Sequence, residues 1–210
     1  LLQDFESSGL EKEFDIDFIF AIDERTSDNS TEIARKFSNQ IIDQGDAHGK
    51  GAAMRQATRL WKKNKTPKVV FLDADGSYSF NSVRNIIGAL DNASDVVSGS
   101  RFLSKKGRPE GMTRLHNFGN KILSIISSIR NRRRISDLCT GLWGFNRDAL
   151  ERLNFKSNGF GLEAELAGLV RREKLAHLEV PVEWSQRKGG TTKLRSFTDG
   201  LIILIRIIIT

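Results

Sequence analysis

The stretch VVFLDADGSY, residues 69–78, decides how the rest of the sequence is interpreted. It opens with an unbroken run of apolar, β-preferring residues, which predicts a strand that is buried on both faces. Two acids, Asp73 and Asp75, follow where that strand should end. Open α/β sheets bind their ligands beyond the carboxyl ends of the strands. The stretch therefore predicts a ligand site at the end of a central strand.

The two acids are separated by one residue, so in an extended strand end they point to the same side. Carboxylates that face one way suit a hard divalent cation such as Mg²⁺ or Mn²⁺, which completes its shell with water and with the phosphates of a bound nucleotide. The alternative is a common turn in which both aspartates of DADG bond only to backbone. These residues alone leave both interpretations open.

The composition limits the classes of protein that need to be considered. The chain has 210 residues, 39% of them hydrophobic, which is enough for one α/β domain with a real core. Its one cysteine, Cys139, excludes a disulfide framework and a thiolate metal cluster, and indicates a reducing compartment. The net charge of +7 has three common causes: nucleic acid, anionic membrane, or a phosphorylated ligand.

The basic residues are most concentrated in RNRRR, residues 130–134, which follows an apolar helical pattern. This arrangement favours a membrane surface over nucleic acid, because aromatic residues for base stacking are missing nearby. A solvated helix end is the alternative. The segment LIILIRIIIT, residues 201–210, is about half the roughly 20 residues that span a membrane. We expect it to form an amphipathic or membrane-entering helix, and a core helix of the domain is the alternative.

Apolar runs alternate with helical patterns as far as residue 183, which is typical of βα units around a largely parallel sheet. We predict an α/β domain over residues 1–195 and a separate helical segment over 196–210, with the chain trimmed at both ends. The predicted strands are 16–22, 39–43, 68–76, 94–102, 139–145 and 175–184, and the clearest predicted helices are 49–63 and 114–130.

Two further motifs have the chemistry of a nucleotide site. In IDERTSDNS, residues 22–30, Asp23 follows a predicted strand and is placed to accept hydrogen bonds from a base or ribose. In HGKGAA, residues 48–53, backbone N–H groups at a helix start are suited to phosphate. The spacing of a P-loop is missing, which excludes a P-loop nucleotide hydrolase.

Taken together and in order, the motifs resemble glycosyltransferase family 2, the inverting GT-A enzymes, and within it the dolichyl-phosphate and polyprenyl-phosphate sugar transferases. The resemblance extends over residues 15–204 and rests on IDERTSDNS, GKGAAMRQA, FLDADGSY, VVSGSRF, DLCTGLWGFNRDAL, GFGLEAEL and VPVEWSQRKGGTTKL, which occur there in this order. It implies a GT-A Rossmann-like sandwich with a largely parallel central sheet flanked by helices. The first strand of that fold is absent from this sequence.

The resemblance also implies roles for the residues that match its motifs. Asp73 and Asp75 would hold Mg²⁺ or Mn²⁺ on the donor diphosphate, with the backbone of Ala74 beside the ion. Asp23 would contact the nucleotide base, and Lys50 would contact the substrate. Arg101 and Arg114 would bind the phosphate of the acceptor. Arg187 and Lys193 would close over the donor diphosphate. The residues with an implied catalytic role are Asp75, Arg101 and Arg187.

The implied reaction moves a sugar from a UDP- or GDP-sugar to a polyprenyl phosphate at the cytoplasmic face of a membrane. The protein would be peripheral or anchored by its C-terminal hydrophobic segment, and would bind no nucleic acid. Two alternatives stay open: a transferase of the same fold acting on a glycan or polysaccharide, and a non-catalytic membrane-surface module. The missing first strand motivates the second of these alternatives. Glu24 and Arg25 also motivate it, because they stand where the family's motif usually has Asp and Gly.

Overall fold

A computed structural model describes residues 1–44, 48–92, 94–103, 109, 111–186 and 196–210. Helices and strands alternate along most of these residues. In chain order the elements are α1 (Leu2–Ser8), α2 (Leu10–Glu13), β1 (Phe20–Ile22), α3 (Ser30–Arg35), β2 (Ile41–Asp43), α4 (Lys50–Trp61), β3 (Lys68–Phe71), α5 (Phe80–Asp91), β4 (Val96–Ser100), α6 (Arg114–Asn131), β5 (Trp143–Asn146), α7 (Arg147–Arg152), α8 (Leu162–Arg172), β6 (His177–Pro181) and α9 (Ser196–Ile209).

The larger sheet has four strands in the order β3-β5-β4-β6. Strands β4 and β6 are parallel, and β5 runs antiparallel to both β3 and β4. Three of the four strands therefore point the same way, with β5 inserted in the opposite direction. Strands β1 and β2 form a separate parallel pair. The predicted α/β fold with flanking helices is confirmed.

Helices cover both faces of the larger sheet, because neighbouring residues of a strand point to opposite sides. In β4, Val96 belongs to the core cluster that includes residues of α4, α7 and α8. Val97 belongs to the opposite cluster, which includes residues of α1 and α5. Both valines are completely buried. This packing on two sides holds β4 rigid, and with it the residue that follows, Arg101.

All six observed strands are shorter than their predicted ranges, and β1 and β3 show why. The predicted strand 16–22 shortens to β1, because β2 offers only three partner residues. Phe18, which precedes β1, packs edge-on against Phe5 at 4.8 Å instead of joining the sheet. The residues of β3 are half-buried, so the prediction of full burial on both faces is wrong. The physical reason is that β3 lies at the end of its sheet and lines a large cleft.

Helix α9 lies on α6 and α8. Its Ile203 and Ile207 are buried in a third cluster with Leu138, Ala164 and Ala167. The predicted helix at 196–210 is therefore present, and one of its sides belongs to the core. Among the described residues no helix is both long and apolar enough to cross a bilayer.

Candidate functional site

An open cleft of about 2130 Å³ runs along β1 and β3 and continues past their carboxyl ends. Its walls include six of the residues that the sequence singled out as functional. They are Asp23, Lys50, Asp73, Ala74, Asp75 and Arg101. Residues that lie far apart in the chain thus face one space.

Asp73 sits two residues beyond the end of β3, where its carboxylate contacts Lys50. The Lys50 ammonium lies 3.0 Å from Asp73 Oδ1 and 3.2 Å from Glu163 Oε1. Burial disfavours the charged ammonium, but the two carboxylates outweigh it and raise the pKa of Lys50 above its usual value. Burial also raises the pKa of Glu163, an effect that the charge of Lys50 opposes. One cation thus bridges two acids in the cleft wall.

Gly141 provides the space that the Asp73 carboxylate occupies. A Cβ at this position would lie 2.1 Å from Asp73 Oδ2, which no real contact allows. The Gly141 N–H donates to the hydroxyl of Tyr78 at 2.7 Å, and Tyr78 is itself buried. Only glycine fits at position 141 because of this close approach. The hydrogen bond to Tyr78 also fixes the distance between Gly141 and the end of β3.

Asp75 closes the turn that follows β3. Its Oδ1 accepts from the Ser77 N–H at 3.0 Å and from the Ser77 hydroxyl. Gly76 has φ of 73°, in the region that glycine adopts without strain. A turn is thus present at DADG, but the two aspartates do not bond only to backbone, since Asp73 contacts Lys50 and Asp75 also accepts from the Ser77 hydroxyl. Both carboxylates line the cleft. Within the described part of the chain, no group of three or more His, Cys, Asp or Glu side chains is placed to hold a metal ion.

The position of Lys50 depends on close contact between the start of α4 and residues 156–158. Gly49 has φ of 96°, and the Gly51 N–H donates to Asn158 O at 2.8 Å. A Cβ at Gly51 would lie 1.8 Å from Ser157 O, so only glycine fits. Glu165 holds the other side of this loop by accepting the Ser157 N–H at 2.7 Å.

Arg101 follows β4 and is held by a buried carboxylate. Its Nε and Nη2 donate to Asp137 Oδ2 and Oδ1, both at 2.7 Å, and Nη2 also donates to Cys139 O. Burial disfavours the guanidinium charge, but the Asp137 carboxylate outweighs it and raises the pKa of Arg101. Its guanidinium lies 5.8 Å from the centre of the Trp184 ring. The cation is thus fixed at the cleft wall and firmly charged.

Asp23 lies at the end of β1 with its carboxylate already engaged. Arg25 donates to Asp23 Oδ1 through its backbone N–H at 3.0 Å and through Nε at 2.7 Å. These bonds hold the pKa of Asp23 well below its usual range. His48 Nδ1 lies 3.8 Å from Asp23 Oδ2. A ligand that bonds to Asp23 would therefore have to share it with Arg25.

The structure describes one of the three remaining predicted site residues, Arg114, and it is not among the residues that line the cleft. Arg114 is exposed at the first turn of α6, and its neighbour Leu115 lines the cleft. Arg187 and Lys193 lie outside the described residues.

The sequence did not indicate two residues that position Arg101. Asn120 donates to Asp137 Oδ1 at 2.7 Å, and Glu179 accepts the backbone N–H groups of Ser136 and Asp137 at 2.8 and 3.2 Å. Asn120 lies among the polar residues Asn117, Lys121 and Ser124 of α6, and Glu179 shares one face of β6 with His177. Neither sequence pattern carries a signal that could have marked them.

The sequence matches the family described as glycosyl transferase family 2 over residues 6–153, which is most of the chain. The chain belongs to glycosyl transferase family 2. Two relatives from Haloferax volcanii are glycosyltransferase AglJ, 29% identical over 90% of this chain, and a dolichyl-phosphate hexose transferase, 32% identical over 85%. The chain spans 61% of the first relative's length and 74% of the second's.

Solved structures of the same fold include mannosyl-3-phosphoglycerate synthase from Rubrobacter xylanophilus, with a TM-score of 0.67 at 17% identity over 98% of this chain and 67% of that one. Another is glucosyl-3-phosphoglycerate synthase from Mycobacterium tuberculosis with Mn²⁺, UDP and glucosyl-3-phosphoglycerate, also at 0.67, with 16% identity over 98% and 73%. At these identities the likeness supports the GT-A fold alone.

Proposed function

We propose that the chain is the catalytic domain of an inverting transferase, which moves a sugar from a nucleotide-diphosphate donor to a polyprenyl phosphate at the cytoplasmic face of a membrane. One observation carries this proposal. A single cleft holds the acids after β3 and the fixed cation Arg101, and its lining continues to apolar residues of α6 and α9, among them Leu115, Leu123 and Ile203. Such a cleft suits a charged donor and an acceptor with a charged head and an apolar tail.

Lys50 is the residue we assign to the donor diphosphate, and Asp73 would contact that diphosphate only through a metal ion. The ammonium stays charged at neutral pH, because two carboxylates hold it in place. A leaving diphosphate gains negative charge as its bond to the sugar breaks, so a positioned cation lowers the barrier most at that stage. We assign the nucleotide base to the region of Asp23, and further diphosphate contacts to Arg187 and Lys193.

Asp73 and Asp75 fit a divalent cation of the Mg²⁺ or Mn²⁺ type. Both carboxylates line the cleft on one turn, and Mg²⁺ is usually held by one or two carboxylates together with substrate phosphates and water. The related fold that contains Mn²⁺ and UDP supports the same ion here. When bound, it would supply positive charge to the departing diphosphate. The backbone of Ala74 lies beside this position.

Arg101 is the residue we assign to the acceptor phosphate, and the exposed Arg114 at the start of α6 is a second candidate for that phosphate. In the reaction an acceptor phosphate oxygen forms a bond to the anomeric carbon while the bond from that carbon to the donor phosphate breaks, and the nucleoside diphosphate leaves with the electron pair. The attacking oxygen is already anionic at neutral pH, so the chain needs to position it and not to deprotonate it. Asp137 keeps Arg101 rigid for that purpose.

Transfer of a labelled sugar from UDP- and GDP-sugars into an organic-extractable lipid tests the proposal directly. We expect product with polyprenyl phosphate, and its loss in Asp75→Asn. A variant distant from the cleft, Glu151→Gln on α7, should keep full activity. Product with a glycan acceptor in place of the lipid would replace this proposal by the polysaccharide alternative.

Calorimetry with UDP and Mn²⁺ separates an enzyme from a non-catalytic module. We expect nucleotide binding that requires the metal and that weakens in Asp73→Asn. If the chain binds no nucleotide in the presence of Mn²⁺ and yields no product with any donor, the non-catalytic interpretation is the right one.

A further inference from the structure

Helix α6 leaves a long apolar stripe uncovered on the outside of the fold. Its members recur three or four residues apart, which places them on one face of the helix. They are Leu115, Phe118, Ile122, Ile125 and Ile129, and their exposed fractions range from 40% at Ile122 to 74% at Ile129. A helix that packs only in a protein core would not keep this face in water.

Helix α9 carries a second stripe of the same kind. Its inward residues, Ile203 and Ile207, are in the core, while the outward ones remain between 48% and 64% exposed. The outward residues are Leu201, Ile202, Ile205, Ile208 and Ile209. Helices α6 and α9 pack side by side, and a small apolar groove between them is lined by Ile126, Ile129 and Ile207. We call the two exposed stripes together the α6–α9 face.

The exposed charges on the segments that carry this face are positive, and Asp199 in the first turn of α9 is buried. Residues 111–136 contain no acidic residue, and neither do residues 200–210. The basic residues of these two segments are Arg114, Lys121, Arg130, Arg132, Arg133, Arg134 and Arg206. Apart from Arg133 and Arg206, which are half-buried, these basic side chains are exposed.

We infer that the α6–α9 face is a docking surface for an anionic lipid bilayer, with both helices lying in the plane of the interface. Apolar side chains enter the boundary between headgroups and acyl chains, and the arginines at the end of α6 contact lipid phosphates. A second copy of this chain fits less well, because a two-fold pairing would bring two positive borders together. The proposal rests on the surface itself and holds whatever reaction the cleft performs.

The position of this face also links it to the cleft. Leu115 belongs to the exposed stripe and lines the cleft, and α9 contributes Gly200 and Ile203 to the cleft wall. A bilayer seated on the α6–α9 face would therefore lie beside an entrance to the cleft. This second step rests on the proposed function, since it gives a lipid-borne phosphate a short path toward Arg101.

Sedimentation of the 210-residue chain with vesicles tests the docking surface without any donor or acceptor. The probes are vesicles of phosphatidylcholine alone and of phosphatidylcholine mixed with phosphatidylglycerol. We expect binding to the anionic vesicles that weakens as salt is added, because exposed charges are screened. Replacing Ile125 and Ile129 together by Gln should weaken binding by more than about tenfold, since two large apolar side chains would no longer enter the lipid interface.

Two further variants test whether binding depends on the α6–α9 face and on its positive charge. Ile33→Gln removes an isoleucine that is 46% exposed on α3, away from the α6–α9 face, and should bind as wild type. Replacing Arg130 and Arg134 by Gln should lower affinity for anionic vesicles about fivefold per cation and leave neutral vesicles unaffected. Thermal melts of all variants should match wild type, because the changed side chains are exposed.

The inference is overturned if the Ile125 and Ile129 double variant sediments like wild type. It is also overturned if wild type ignores both kinds of vesicle and forms a dimer that the double variant abolishes, since a second copy then covers the face. A chain that binds vesicles but transfers no sugar would contradict the proposed function and leave the docking surface standing.

Discussion

Gly141 and Asp73 approach so closely that a single methyl group between them would displace the carboxylate. A Cβ at Gly141 would lie 2.1 Å from Asp73 Oδ2 and 3.0 Å from the ring of Tyr78. Gly141 comes just before β5 and Asp73 just after β3, and these strands are paired. The position of one proposed metal ligand is therefore set by the neighbouring strand.

Gly141→Ala should reduce metal-dependent nucleotide binding at least about tenfold, because the methyl group pushes Asp73 away from its present position. Calorimetry with UDP and Mn²⁺ measures this. Gly88→Ala on α5 is the matched control: nothing lies within 4 Å of its Cβ, and the extra methyl should stabilise the fold by about 0.4–1 kcal/mol. Unchanged nucleotide binding in Gly141→Ala would mean that Asp73 does not contact the metal.

Asp137→Ala should destabilise the chain by about 3–5 kcal/mol, because it leaves the buried Arg101 guanidinium without its carboxylate. Urea denaturation followed by circular dichroism measures the free energy of unfolding. Glu151→Ala removes the acid of an exposed pair with Arg147 and should cost less than about 1 kcal/mol. An equal loss of unfolding free energy in the two variants would show that the Arg101–Asp137 ion pair contributes no more stability than an ion pair at the surface.

The sequence predicted those parts of the fold that depend on local pattern and order. The span of α6 follows from its helical periodicity, and the strands β3 and β4 from short apolar runs ended by polar residues. The direction of β5 could not be predicted, because the irregular run CTGLWGF fits either direction. Only its pairing, with Val70 opposite Gly144 and Val97 opposite the same residue, makes it antiparallel to both neighbours.

The candidate site was predictable where residue type alone limits the chemistry. Asp73, Asp75 and Arg101 stood out as charges at strand ends, and all three line one cleft. The pairings among charges were not predictable, since Lys50 meets Glu163 across more than a hundred residues. The role of Glu179 was hidden for the same reason: its partners lie on a loop that the sequence does not place beside β6.

Lowering the pH from 7 to 5 should cost about 2 kcal/mol of stability through His177 alone. Burial lowers the pKa of this histidine to about 3, so the folded chain keeps it neutral where the unfolded chain, with a pKa near 6.5, takes up a proton. Its contribution is complete above pH 6.5 and is lost as the pH falls toward 3. Urea denaturation at several pH values in this range measures the free energy of unfolding. This free energy should fall less steeply with decreasing pH in His177→Gln than in wild type. An unchanged slope would mean that His177 also protonates in the folded state.

Lys50→Gln should have opposite effects on the metal and on the nucleotide. With the ammonium gone, Asp73 and Glu163 lose their shared cation, and affinity for Mn²⁺ alone should rise at least about fivefold, because a unit charge some 4 Å away is worth about 1 kcal/mol even in water. Affinity for UDP in the presence of Mn²⁺ should fall, because a diphosphate contact is lost.

Lys50→Arg keeps the charge and should leave Mn²⁺ affinity near wild type. Calorimetry with each ligand separates the two effects, and a Gln variant that weakened both equally would show that Lys50 holds the cleft together and does not compete with the metal for Asp73.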